Sequence, residues 1–131
     1  MIKSIDHIVI TTRDLEKCIV FYTQVLGMQL ENYGAGRIAL CFGGQKFNVH
    51  PPGFEASIKA RTPTPGSLDL CFLAECPLED VIARLAQHGI PIEEGPVVRT
   101  GAQFAIRSVY VRDPDENLIE ISVPADPKGN A

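Results

Sequence analysis

The sequence predicts an α+β protein made of two βαβββ modules whose curved mixed sheets enclose a shared cavity. Each half of the 131-residue chain repeats the order strand, helix, strand, strand, strand. Each helical pattern ends at a glycine. Neither module alone would bury a whole sheet face. Two modules side by side would curve their sheets around one cavity and place the helices outside.

Module one is predicted at about residues 1–50. A strand rich in isoleucine and valine covers 4–11. A helix follows, with Asp14 as its N-cap, apolar residues at helical spacing, and Gly27 at its end. Glycine turns then separate three further strand candidates, at 28–33, 37–42 and 46–50.

Module two is predicted at about 67–124, after an irregular connector at 51–66 that holds four prolines. Its first strand covers 67–74, and its helix begins with Pro77 at the first helical position and closes at Gly89. Strand candidates follow at 92–99, 103–111 and 117–123. The tail at 125–131 is expected to fray, and the whole chain is expected to form one domain.

Composition excludes several classes of protein. Hydrophobic residues make up 45% and charged residues 21%, which is typical of a globular chain. The net charge of -4, without a basic cluster, argues against nucleic-acid binding. No segment predicts a membrane span or a signal peptide. The four cysteines lack zinc-site spacing and are expected to be buried free thiols, so we expect a cytoplasmic protein.

Strand alternation selects the candidate site residues. Because alternate residues point to opposite faces, the more apolar face of each strand packs under the helix and the other faces the cavity. The cavity face then carries His7, His50, Asp69 and Glu120. The repeat pairs His7 with Asp69 on the two first strands and His50 with Glu120 on the two last strands.

These side chains predict one divalent metal, which could be Zn, Ni, Fe, Mn or Co. Two histidines and one carboxylate with open positions form a facial ligand set, here His7, His50 and Glu120. Asp69 is a fourth ligand, an acceptor that orients His7, or a structural carboxylate. In the alternative interpretation, His7 and Glu120 line the cavity of a metal-free binding protein, and His50 faces water at a strand end.

Three segments carry a resemblance to a known family. They are Asp6-His7-Ile8, the FYTQVLGM segment at 21–28 and the RDPDENLIE segment at 112–120. With them the chain resembles the vicinal-oxygen-chelate superfamily of glyoxalase I, extradiol dioxygenases, and fosfomycin- and bleomycin-resistance proteins. Segments 41–50 and 91–96 are similar to glyoxalase-domain-containing type-five proteins and virulence-associated bacterial relatives.

The resemblance implies paired βαβββ modules, a central metal, a small substrate bound through adjacent oxygens, and a homodimer. Many members take their ligands from the first strands of both modules and from the last strand of the second. His7 and Glu120 match that pattern, whereas Asp69 stands where a histidine is usual. His50 would supply the missing imidazole, because glyoxalase I uses a ligand on the corresponding strand.

The expected function is that of a metal-dependent lyase or isomerase like glyoxalase I, with Glu120 as both ligand and catalytic base. One alternative is an Fe(II) ring-cleaving dioxygenase of the extradiol type. Another is a non-catalytic protein that binds a drug or metabolite. Arg99, Arg107 and Arg112 would hold an anionic substrate or would be solvated strand residues.

Overall fold

The computed structural model describes residues 1–125, and the predicted frayed tail beyond Ala125 lies outside the described residues. The chain divides into two compact units. The first comprises Met1–Leu68 and Pro114–Glu116, and the second comprises Asp69–Asp113 and the segment that begins at Asn117. Each unit carries one four-stranded mixed sheet. No helix within residues 1–125 has the length and apolar character needed to cross a membrane.

Both units have the predicted βαβββ order, so the α+β class with paired modules is confirmed. Module one contains β1 (His7–Thr11), α1 (Leu15–Val20) continued by a π-helical turn (Phe21–Val25), β2 (Gln29–Tyr33), β3 (Arg37–Phe42) and β4 (Gln45–His50). Module two contains β5 (Asp69–Leu73), α2 (Leu78–Gln87), β6 (Glu94–Thr100), β7 (Ala105–Arg112) and β8 (Leu118–Pro124). The strand orders are β1-β4-β3-β2 and β5-β8-β7-β6, so the two sheets repeat one topology.

The core of module one lies between its helix and β4. The Asp14 side chain accepts a hydrogen bond from the Lys17 backbone N–H, which caps the first turn as predicted. Tyr22 is fully buried, and its ring packs edge-to-face on Phe47 with the centroids 5.3 Å apart. Phe47 and Val49 therefore mark the covered face of β4, and Lys46, Asn48 and His50 lie on the other face.

Module two repeats this packing. Leu78 and Leu85 of α2 are almost fully buried, as are Val109 of β7 and Ile119 of β8. On β8 the more buried Ile119 and Ile121 flank Glu120, as strand alternation predicts. Pro77 precedes the helix instead of opening it, because its ψ of 148° is extended.

The turn between β7 and β8 is built from acidic side chains. The Asp113 carboxylate accepts hydrogen bonds from the backbone and side-chain N–H groups of Asn117, at 2.9 and 2.7 Å. Glu116 has a φ of +72°, a left-handed conformation that a non-glycine residue rarely adopts. The predicted role of Asp113-Pro114-Asp115 as a turn device is in line with this geometry.

Asp115 anchors this turn within the first unit. Its carboxylate is about 1% exposed and accepts hydrogen bonds from the Thr12 hydroxyl at 2.6 Å and the Arg13 backbone N–H at 3.0 Å. Gly66 lies against the same turn, because a Cβ placed there would come within 2.5 Å of the Asp115 carbonyl oxygen. The connector at 51–66 contains neither helix nor strand.

Candidate functional site

Module two contains a cavity of about 670 Å³ on the face of its sheet that carries Glu120. Strands β5, β7 and β8 contribute to its wall, together with residues 99–104, which run from the end of β6 into the loop before β7. Leu73, Phe104 and Ile106 supply apolar surface, and the polar groups include Cys71, Arg99, Tyr110 and Glu120. Apolar walls with a few convergent polar groups are typical of a small-molecule site.

Glu120 is held in place by hydroxyl groups from the neighbouring strand. Its Oε2 accepts a hydrogen bond of 2.6 Å from Ser108, which is fully buried. The hydroxyls of Ser108 and Ser122 lie 2.7 Å apart and continue the network below the carboxylate. A short hydrogen bond to a carboxylate is among the stronger ones in proteins, so the orientation of Glu120 is fixed by the fold.

Tyr110 connects Glu120 to a charged pair at the cavity wall. Its hydroxyl oxygen accepts a hydrogen bond of 3.2 Å from Arg99 Nε, and Arg99 Nη2 also bonds Glu94 at 2.7 Å. Burial raises the pKa of Tyr110. The hydrogen bond from Arg99 offsets part of that rise, and a hydrogen bond to Glu120 adds to it. The phenol is therefore neutral at pH 7 and has a proton to donate toward the carboxylate.

Cys71 is the β5 neighbour of Glu120 in the sheet register. Its Sγ lies 3.3 Å from the Ser122 hydroxyl. Burial raises the pKa of the Cys71 thiol, and the nearby carboxylates of Glu120 and Asp69 add to this effect. The protonated thiol is neither a good nucleophile nor a ready metal ligand. All four cysteines are free, but the expectation that they are buried holds only for Cys18, since Cys41 is half-buried and Cys71 and Cys76 are exposed.

His7 stands at the start of β1 with a partly exposed ring. Its Nδ1 lies 2.9 Å from the Asp6 carboxylate, which leaves Nε2 available. A carboxylate bonded to one imidazole nitrogen fixes the ring and its tautomer, and metal-binding histidines commonly have this arrangement. In the parallel pairing of β1 with β4, His7 is opposite Lys46.

His50 is in a different environment from His7. His50 pairs with Thr11, whereas His7 pairs with Lys46, which is four residues earlier on β4. The backbones of the two histidines are therefore about 13 Å apart along the strands. Its ring stacks on Phe54 with the centroids 4.2 Å apart. Burial lowers the pKa of His50, and the positive charges of Arg37 and Lys59 lower it further.

The register corrects one prediction about the repeat. Asp69 pairs with Leu118 as His7 pairs with Lys46, and two residues further along β8 and β4 the equivalent positions hold Glu120 and Asn48. The prediction that His50 and Glu120 share a place is therefore wrong, and His50 corresponds to Ser122. When two strands are aligned with an error of two residues, each side chain stays on the same face of the sheet but is assigned to the next position along it. The alternation of faces alone therefore does not reveal such an error.

Asn48 is the residue that the sequence reasoning missed. Its Oδ1 is buried and lacks a hydrogen-bond partner within residues 1–125. A buried acceptor without a partner is costly, and such groups often await a ligand. The alternation of polar and apolar residues on β4 marked its face, but only the strand register identifies it as the counterpart of Glu120.

The remaining predicted site residues are Asp69 and three arginines of module two. Asp69 lies at the exposed start of β5, one row from Cys71. Arg107 bonds Glu79 at 3.1 Å, and Arg112 bonds both carboxylate oxygens of Glu93 at 3.0 Å. Among the three predicted arginines, only Arg99 lines the cavity. Within residues 1–125, neither unit by itself brings three His, Cys, Asp or Glu side chains together as a metal site requires.

The chain matches the Glyoxalase/Bleomycin resistance protein/Dioxygenase superfamily over residues 4–121. It is 52% identical over 127 residues to glyoxalase domain-containing protein RDO1 of Mycosarcoma maydis, a match that covers 97% of this chain and 72% of that protein. It is 51% identical over 122 residues to virulence protein STM3117 of Salmonella typhimurium, covering 93% of this chain and 85% of that protein.

Solved structures agree with these matches. The crystal structure of STM3117 superposes with a TM-score of 0.92 and covers 95% of this chain and 99% of that one. Lactoylglutathione lyase from Agrobacterium tumefaciens (22% identity, TM-score 0.72, 94% and 95% covered) has the same fold. So does the antibiotic binding protein TnmS3 from Streptomyces (21% identity, TM-score 0.74, 95% and 98% covered). The chain therefore belongs to the glyoxalase/bleomycin resistance protein/dioxygenase superfamily.

Proposed function

We propose that the chain is a metal-dependent lyase or isomerase of the glyoxalase I type, acting on a small molecule with adjacent oxygens. The observation that carries the proposal is the position of Glu120 at the wall of a cavity of about 670 Å³. Its carboxylate is oriented by Ser108 and lies next to the neutral phenol of Tyr110. An oriented carboxylate inside a partly apolar cavity is suited to proton transfer.

The donor set fits a divalent ion such as Zn, Ni, Fe, Mn or Co. We assign His7, Asp69 and Glu120 as its ligands, because imidazole and carboxylate donors suit these metals. The hydrogen bonds that His7 donates to Asp6 and that Glu120 accepts from Ser108 support this assignment, since outer partners of this kind orient metal ligands. When bound, the metal supplies Lewis-acid polarisation of a substrate carbonyl.

We leave His50 out of the ligand set that the sequence predicts. Its ring stacks on Phe54, and its backbone lies about 13 Å along the strands from that of His7. Asn48 takes a different part in the proposal. Its unpartnered Oδ1 would accept a hydrogen bond from a substrate hydroxyl or from a water molecule.

Side chains of module two would carry out the chemistry. Glu120 would remove a proton from the carbon beside the substrate carbonyl and return it to the former carbonyl carbon, while the proton of the substrate hydroxyl moves to the former carbonyl oxygen. Tyr110 would donate a hydrogen bond to Glu120 and so stabilise the negative charge of the Glu120 carboxylate. Leu73, Phe104 and Ile106 would contact the apolar part of the substrate and reduce the access of water.

Turnover of the hemithioacetal of methylglyoxal and glutathione, with each divalent metal supplied in turn, tests the proposal. We expect turnover by the wild type, a loss of about 10²- to 10⁴-fold in Glu120→Gln, and loss of activity in His7→Ala. His88→Ala is the matched control, because His88 follows α2 and is not among the cavity residues. No turnover with any metal would refute the lyase, and oxygen uptake with catechols would then favour the dioxygenase.

We also propose that the two modules form one domain, and that the protein works as a homodimer in the cytoplasm. The four free thiols support a reducing compartment. Light scattering coupled to size exclusion should give twice the mass of one chain. A mass equal to one chain at micromolar concentration would exclude the dimer.

A further inference from the structure

The face of the module-one sheet opposite α1 carries a group of aromatic and basic side chains that the proposed chemistry does not use. We name it the cationic–aromatic patch. It consists of Tyr33 on β2, Arg37 on β3, Lys46 and His50 on β4, and Phe54 and Lys59 of the connector.

The patch is organised by contacts between its rings and cations. The guanidinium carbon of Arg37 lies 5.5 Å from the ring centres of both Tyr33 and Phe54. The Lys46 ammonium lies 4.3 Å from the centre of the Tyr33 ring. The Phe54 ring stacks on His50 with an interplanar angle of 25°. These contacts hold the cations near one another while leaving N–H donors of Arg37 for a ligand.

The basic groups of the patch have no acidic partners in the described part of the chain. No carboxylate within residues 1–125 lies within 4.0 Å of the charged nitrogens of Arg37, Lys46 or Lys59. Arg99, Arg107 and Arg112 of module two each have such a partner.

One acidic residue, Glu31, shares the sheet face with the patch. Its carboxylate accepts a hydrogen bond of 2.9 Å from the Cys41 thiol. In a chain with a net charge of -4, three clustered cations without carboxylate partners are unexpected, and their mutual repulsion favours an anion. The lowered pKa of His50, caused by burial and then by Arg37 and Lys59, supports a positive local field.

We propose that the cationic–aromatic patch binds the acidic group of a small molecule, a carboxylate or a phosphoryl group, and that Tyr33 and Phe54 pack against the flat or apolar part beside it. The guanidinium of Arg37 would contact two oxygens of the anion, because its fork of N–H groups matches that geometry. The inference goes beyond the proposed function, because it gives module one a ligand site of its own. The ligand class is an acid with a flat or apolar group beside the acidic one.

Calorimetry with phenylphosphonate, benzoate and inorganic phosphate tests the patch directly, and benzyl alcohol serves as the neutral probe. Titrations of the protein as purified and after EDTA treatment show whether binding needs a metal. Arg37→Gln and Tyr33→Leu remove one cation and one ring. Lys17→Gln is the matched control for charge, since Lys17 lies on the exposed side of α1.

We expect phenylphosphonate or benzoate to bind in both preparations, and benzyl alcohol not to bind. Arg37→Gln should weaken binding about tenfold or more, as expected for the loss of a charge-assisted pair, and Lys17→Gln less than about twofold. Stronger binding of phenylphosphonate than of benzoate identifies a phosphoryl ligand, and the reverse order identifies a carboxylate.

Three results would overturn the inference. They are no binding of any anion, equal binding by wild type and Arg37→Gln, and binding that disappears both with EDTA and in His7→Ala. The last result would mean that the anion coordinates the metal. Anion binding at the patch without turnover of any substrate would instead count against the proposed function alone.

Discussion

Replacing Asp115 by alanine is expected to destabilise the first unit strongly, although Asp115 lies in a turn. The carboxylate is about 1% exposed and accepts hydrogen bonds from the Thr12 hydroxyl at 2.6 Å and the Arg13 backbone N–H at 3.0 Å. Alanine leaves both donors without this partner. Thr12 keeps an alternative acceptor, the Asp14 carbonyl oxygen at 3.2 Å. The Arg13 backbone N–H would need water or a local rearrangement.

The magnitude follows from these contacts. Hydrogen bonds to a charged group contribute about 1.5–3 kcal/mol each to the free energy of unfolding. Two effects offset part of that sum: Thr12 keeps its alternative hydrogen bond, and the variant no longer has to bury a charged carboxylate. The Arg13 guanidinium adds little, because it is 61% exposed and 3.9 Å away. We therefore expect a loss of about 3 kcal/mol, which corresponds to a fall in Tm of roughly 10 °C for a chain of this size.

Urea unfolding followed by circular dichroism measures the loss. Glu55→Ala, in the exposed connector, is the control and should change stability by less than about 0.5 kcal/mol. Asp115→Asn should lie between wild type and Asp115→Ala, because the amide retains one acceptor oxygen. In a double-mutant cycle with Thr12→Val, the two positions should couple by about 1 kcal/mol or more. An Asp115→Ala protein within about 1 kcal/mol of wild type would refute the assignment of Asp115 as an anchor.

Three further predictions concern backbone and thiol chemistry. Glu116→Gly should raise stability by about 0.5–1 kcal/mol, because glycine adopts a φ of +72° without strain, and a fall in Tm would contradict this. Gly101→Ala should lower stability by about 2 kcal/mol or more, since its Cβ would come within 2.4 Å of the Phe104 carbonyl oxygen, and unchanged urea unfolding would contradict the geometry. In EDTA-treated protein, iodoacetamide should alkylate Cys71 slowly at pH 7.5, and the rate should rise only above about pH 8.5, the ordinary pKa of a thiol. The reason is that the thiolate is the nucleophile and the pKa of Cys71 is raised. Peptide mass spectrometry at a series of pH values measures this, and half-maximal reaction below pH 8 would contradict the raised pKa.

The module repeat and the side-chain faces could be predicted from the sequence, because both depend on local periodicity. Ile119 and Ile121 alternate with Glu120 at the period of a strand, and the structure buries the two isoleucines more deeply. Asp14 and Gly27 bound the first helical segment as cap chemistry requires.

Register and loop contributions could not be predicted in the same way. The position of each residue along its sheet depends on the loop lengths, which differ between the two modules. As a result the counterpart of Glu120 in module one is Asn48 and not the predicted His50. The cavity wall at 99–104 has no sequence period, and the contacts of Arg37 with Tyr33 and Phe54 join three separate elements. Such contacts depend on tertiary structure, which a single sequence does not specify locally.

Metal titration of EDTA-treated protein tests the central claim most directly, because it does not require the substrate. Calorimetry and elemental analysis should show one divalent ion per wild-type chain. Affinity should fall by about 100-fold or more in both His7→Ala and Glu120→Gln, about tenfold in Ser108→Ala, and not at all in His50→Gln. A wild-type protein that binds no divalent metal, or variants at His7 and Glu120 that bind it as tightly as wild type, would contradict the account.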